Sequence, residues 1–147
     1  MKRFQFPLDR VRVWREEQVE LERAKLQELC GQLSALAQEK TRVENERARS
    51  VRNILEQPAV EAQDLQALDA FRVYVRTRIG QIEKRQRELA ARIDEQRGRV
   101  MEARRRAELL ERLKARKLEA WQALADREEE TLAGEMYLAK FGAKWRR

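Results

Sequence analysis

The chain has 147 residues, of which 40% are charged and 6% aromatic, with five Gly and two Pro. That length is one domain's worth, and the mix points to long helices rather than a compact globule with a deep pocket. The net charge is +7, there is no His and Cys30 stands alone, which excludes an intrachain disulfide, a Cys/His zinc site, the Glu-x-x-His set of a di-iron bundle and any His-based triad.

Residues 1–7 read as a short leader in which Phe4, Phe6 and Leu8 alternate. Its basic residues have no apolar run behind them, so it does not read as a secretory signal. No stretch of the chain approaches the length of a transmembrane helix, and the expectation is a soluble intracellular protein. Pro7 suits a first helical position, and Asp9 then falls in the first turn, where negative charge favours the helix dipole. Two readings of the Phe rings stay open: they staple the helix start onto a neighbouring helix, or they anchor a partner.

Helix one is expected over about 7–56. Val11, Trp14 and Leu21 define one apolar register, and Leu26, Leu29, Leu33, Leu36, Val43, Val51, Ile54 and Leu55 another. A shift between them would change the supercoil locally. Cys30 reads as a small apolar residue on this helix. Gly31, inside it, costs roughly 1 kcal/mol relative to Ala. The stretch from Gln38 to Ser50 is nearly all polar and should be the loosest part. Gln57-Pro58 breaks the pattern, because Pro disfavours helix in the residue before it. The turn is expected over about 57–63.

Helix two is expected over about 64–140. From Leu65 the apolar seam steps by three and four through Leu68, Val75, Ile79, Ile82, Leu89, Ile93, Val100, Ala107, Leu110, Trp121 and Leu124. Such spacing held for about eight heptads marks a coiled coil. Gly80, Gly98 and Gly134 fall off the seam, and Gly142 marks the fraying end. The fold class is therefore all-α: a long antiparallel two-helix coiled-coil hairpin, a single domain over 1–147, with the second helix longer and overhanging. Counting outward from the turn places Leu33 near Ile82 and Leu26 near Leu89. Helix one then ends opposite about residue 108.

The overhang, from about Leu109, carries Leu113, Leu118, Trp121, Met136, Tyr137, Phe141 and Trp145. An unsatisfied apolar stripe of this kind normally marks a partner; a second copy of the chain, or fraying, are the alternatives. At the turn end Leu68 and Val75 belong to the seam, while Leu55, Phe71 and Tyr74 are expected contacts. Most Arg and Lys are interleaved with Glu and read as i,i+4 pairs on a solvated surface. The densest basic run, Arg97 to Lys117, could meet an acidic partner. With no His, no Gly-rich phosphate loop and no concave site, an enzyme fits least.

The opening Phe4-x-Phe6-x-Leu8-x-x-Val11, the two-helix layout turning near residue 58, and Leu65-x-x-Leu68-x-x-Phe71-x-x-Tyr74-Val75 resemble the FliJ family of the bacterial flagellar type III export apparatus. Arg12 stands where that family often has Leu. The resemblance implies a non-enzymatic protein similar to the central stalk of rotary ATPases. It would insert into the ring of the hexameric export ATPase, promote its assembly, link it to the membrane export-gate protein and handle export chaperones. It would lie peripherally at the cytoplasmic side of the inner membrane. The end carrying both termini would enter the ring and the turn end would serve the gate. Neither metal nor cofactor is implied. The expected partner contacts are Phe4, Phe6, Leu8, Leu55, Phe71, Tyr74, Leu113, Leu118, Trp121, Met136, Tyr137 and Phe141. The alternatives are an injectisome stalk, a basic coiled coil on nucleic acid, and a membrane contact through the aromatic C-terminus.

Overall fold

The computed structural model describes residues 2–146. Two long helices pack against each other: α1, Asp9–Leu55, and α2, Ala62–Trp145. Among the described residues there is no strand, so the fold is an all-α helical hairpin. The chain divides into two compact units, Glu20–Met101 and Met1–Val19 with Glu102–Arg147.

In the unit Glu20–Met101, α1 ends where Gln57 N–H donates to the Ile54 carbonyl, just before Pro58. Asp64 then starts α2: its carboxylate accepts the Glu61 N–H at 3.2 Å, half of a capping box. Val43, Val75 and Ile82 form the core, with Leu36, Phe71 and Ile79 packed on it. Leu36 packs on the cluster that holds Ile82. Val75, Ile82 and Leu89 are almost fully enclosed, each contributing roughly 1.5–3 kcal/mol by leaving water. In the polar stretch after Gln38 the contacts with α2 are confined to its start, and residues 44–49 are exposed. Val43 is buried, Glu39 pairs with Arg78, and Lys40 meets Glu83 at 3.2 Å.

The inward positions of α2 keep the three-four count from Val75 through Ile82, Leu89 and Val100 to Ala107 and Lys114. The count slips at both ends, contrary to the unbroken seam expected. Before Val75 the inward residue is Phe71, four residues back rather than three; after Lys114 it is Leu118, four residues on rather than three. Each slip joins two steps of four. A strict seven-residue repeat drifts by about 20° per heptad on a straight helix, and a second step of four takes that drift back.

The register shift expected in α1 is absent. Val11, Trp14 and Leu21 are exposed, and the inward positions are Arg12, Val19, Glu22, Leu26 and Leu29. Polar residues hold two of these places because each has a partner on α2. Arg12 bonds Glu111 at 2.9 Å. Glu22 accepts from the Gln96 amide at its main-chain carbonyl, at 3.0 Å, and at its carboxylate.

In the unit Met1–Val19 with Glu102–Arg147, the leader does not stop at the end of α1. Asp9 N–H donates to the Phe6 carbonyl at 3.1 Å, and residues 2–6 continue without helix. Phe6 is buried. Ala107 is buried, and Leu110, Lys114, Leu118, Trp121 and Ala125 are half-buried. The uncovered part of α2 therefore begins after Ala125 and not near Leu109. Pairing the two helices alone leaves out an extended leader, which at about 3.3 Å per residue reaches twice as far as helix.

Candidate partner interfaces

The leader is tied to α2 at two places. Trp121 donates its indole N–H to the Lys2 carbonyl at 3.2 Å, and the Phe4 ring lies 5.9 Å from the Trp121 ring at 56°. Beside them is a charged clamp. Arg12 reaches Asp9 at 2.8 Å and Glu16 and Glu111 at 2.9 Å, and Lys114 reaches Asp9 at 3.1 Å. The Arg12 guanidinium, then the Lys114 ammonium, hold the Asp9 carboxyl below its ordinary value. Arg12 likewise lowers Glu111, and these bonds raise the Arg12 pKa in return. The hydrogen bond from Gln96 lowers Glu22 in the same sense.

Beyond Ala125 every described residue of α2 is exposed. Tyr137, Phe141 and Trp145 recur every fourth residue, so their rings form one column on the helix. Ring centroids are 6.1 Å apart for the first pair and 6.3 Å for the second. Their exposures are 68%, 50% and 79%. At 3.6 residues per turn, this column lies about 160–240° around the helix from Trp121, the residue the leader covers. It faces away from the side that α1 and the leader use. Met136 and Leu138 are exposed beside it.

Charge changes sign along the same stretch. Residues 126–135 hold Asp126, Glu128, Glu129, Glu130 and Glu135 against Arg127; residues 136–146 hold Lys140, Lys144 and Arg146 and no acid. Nearer the clamp, Arg105 and Arg106 pair with Glu102. Arg104, Arg112, Arg116 and Lys117 are exposed and make no ion pair among the described residues.

In the unit Glu20–Met101 the turn carries its own apolar surface. Leu55 is 73% and Tyr74 61% exposed, with Val60, Leu65 and Val73 nearby in sequence and also exposed. Phe71 is half-buried against the core and stacks on Tyr74 at 6.3 Å.

The residues singled out from sequence therefore separate by environment. Phe4 and Phe6 are engaged with α2 or buried; Trp121 and Leu118 are half-buried. Leu8, Leu55, Tyr74, Leu113, Met136, Tyr137 and Phe141 are exposed. Val60, Leu65 and Val73 are further exposed apolar residues that the seam does not single out. Leu65 fits the seam by its spacing from Leu68, but the Phe71–Val75–Ile79 steps of four move the inward face off it. Cys30 is exposed and unpaired.

No helix among the described residues is long and apolar enough to cross a membrane. Among those residues no group of His, Cys, Asp and Glu could hold a metal ion. Compared with known families, the chain matches the model described as Flagellar FliJ protein over residues 4–144. Comparisons with curated proteins and with solved structures find no match.

Proposed function

Because the chain belongs to the FliJ family of flagellar export components, we propose that it acts as a non-enzymatic stalk and adaptor of the flagellar type III export machinery. In this reading the unit bearing both termini engages the ring of the hexameric export ATPase and promotes its assembly. Exposed residues at the turn, chiefly Leu55 and Tyr74, serve the membrane export-gate protein and the export chaperones. The chain then works at the cytoplasmic side of the inner membrane, held there by its partners.

One observation carries the reading: α2 outruns both α1 and the leader, leaving residues 126–146 uncovered, with Arg112, Arg116 and Lys117, unpaired among the described residues, close behind. A ring that encloses a helix end needs a surface of this kind: apolar groups for packing, and cations that steer the helix toward acidic lining. The clamp and leader hold the base of that end, so a partner meets a helix already formed. Preorganisation lowers the cost of binding.

The test mixes the export ATPase of the same organism with the full chain and follows hydrolysis and hexamer fraction. Both should rise at about one chain per hexamer. Reversing Arg112, Arg116 and Lys117 to Glu should abolish the rise while leaving helicity unchanged. A competent ATPase indifferent to the wild-type chain would sink the proposal.

A further inference from the structure

The uncovered end of α2 has two properties that are independent of any ring. Its aromatic column faces away from the side that α1 and the leader cover, and no described residue of this unit covers it. Its charge is split lengthwise, acidic over 126–135 and basic over 136–146. Laid parallel, two such helices would set acid against acid and base against base. Laid antiparallel, they set each block against its opposite.

Helix geometry narrows the match. Taking the aromatic column as the contact face, Asp126 and Lys144 both fall about 60° to the same side of it. In an antiparallel pair, residues on the same side of the two contact faces meet. Centring the pair near Glu135 brings Asp126 of one chain level with Lys144 of the other, twice by symmetry. Arg127 comes level with Trp145, whose ring face accepts a cation. Gly134 lies in the middle of the contact face, and a Cβ there would meet nothing within 4 Å. It leaves a notch into which Tyr137 or Leu138 of the other copy can seat. Neither Asp126 nor Lys144 makes an ion pair among the described residues.

We propose that residues 126–146 pair antiparallel with the same residues of a second copy of this chain, with Asp126–Lys144 contacts on both sides of the two-fold axis. The pair goes beyond the stalk reading and opposes it in one respect, since it hides the aromatic column that a ring would use. It makes self-pairing a resting form from which an ATPase draws single chains.

The experiment uses the full chain alone, so it is independent of whether the ATPase responds. Light scattering across a concentration series should show the mass rising toward that of two chains, less so at high salt. Asp126→Lys and Lys144→Asp should each weaken pairing, by roughly tenfold, because each puts like charges at both contacts. An equimolar mixture of the two variants should pair again, since each contact then joins opposite charges. A wild-type chain that stays monomeric to about 0.5 mM, pairing indifferent to both variants, or a mixture that does not recover overturns the proposal. So does a chain that remains single but binds anionic vesicles through Phe141 and Trp145.

Discussion

Phe6→Ala should release the leader from α2 without unfolding the protein. Phe6 is the leader's buried residue, and enclosing a Phe side chain contributes roughly 1.5–3 kcal/mol. What remains is one tilted ring pair, Phe4 with Trp121, about 0.5–1.5 kcal/mol, and one indole hydrogen bond, about 0.5–1.5 kcal/mol net. Removing the Phe6 ring therefore takes away the largest single contribution to docking. A loss of about 2 kcal/mol changes the docked-to-free ratio roughly thirtyfold. The assay is quenching of Trp121 in a chain whose other Trp residues, Trp14 and Trp145, are replaced by Phe. In the Phe6→Ala form Trp121 should become open to acrylamide and its emission should shift to the red. The main unfolding transition should stay near the parent's, because the Val43, Val75 and Ile82 core is untouched. Unchanged quenching would refute the argument that Phe6 holds the leader.

Two further expectations concern stability. Leu89→Ala should cost about 2–4 kcal/mol in denaturant unfolding followed by circular dichroism, whereas Leu109→Ala, at an exposed position, should change it by under about 0.5 kcal/mol; similar losses at both sites would contradict the assigned faces. The second concerns acid. Asp9, Glu111 and Glu22 have pKa values held below their ordinary 3.8, 4.5 and 4.5. Carboxyls lowered on folding contribute stability that is present above their unfolded values and lost as pH falls through the folded ones. Stability should therefore be flat from neutral pH to about 5 and fall below about 4, and this fall should be smaller in an Arg12→Ala chain. An Arg12→Ala chain with the parent's full acid dependence would remove the clamp from the explanation.

The regular middle of α2 was legible because nearly every inward position from Val75 to Ala107 is apolar or Gln. Position alone, not composition, decided the rest. In α1 the apolar Val11, Trp14 and Leu21 looked like a seam, yet Arg12 and Glu22 face inward. No local pattern reveals that Glu111 and Gln96 wait opposite them, because these partners lie some 75–100 residues away in the chain. The leader failed for a different reason. Helix-to-helix counting has no place for an extended segment, so Leu110 and Leu118 seemed bare when α1 and the leader shelter them. Met136, Tyr137 and Phe141 are exposed, with no described residue covering them, and the spacing of four from Tyr137 to Phe141 sets the rings in one column. Charge sign along α2 was also readable, but it gained meaning only once the uncovered stretch was shown to start at Asp126.

The Gln96–Glu22 pair has a consequence for which alignment of the helices is native. An apolar ladder of Leu, Ile and Val looks much the same after sliding by seven residues, so packing alone discriminates poorly between neighbouring alignments. Sliding one way would set the Gln96 amide against Leu29; sliding the other way would set the Glu22 carboxylate against Leu89. Gln96 is only 6% exposed, and an enclosed amide left without an acceptor costs roughly 1–3 kcal/mol. A single polar rung thus acts like the key of a lock: it adds little holding power and rejects the misaligned copies that the apolar rungs would admit.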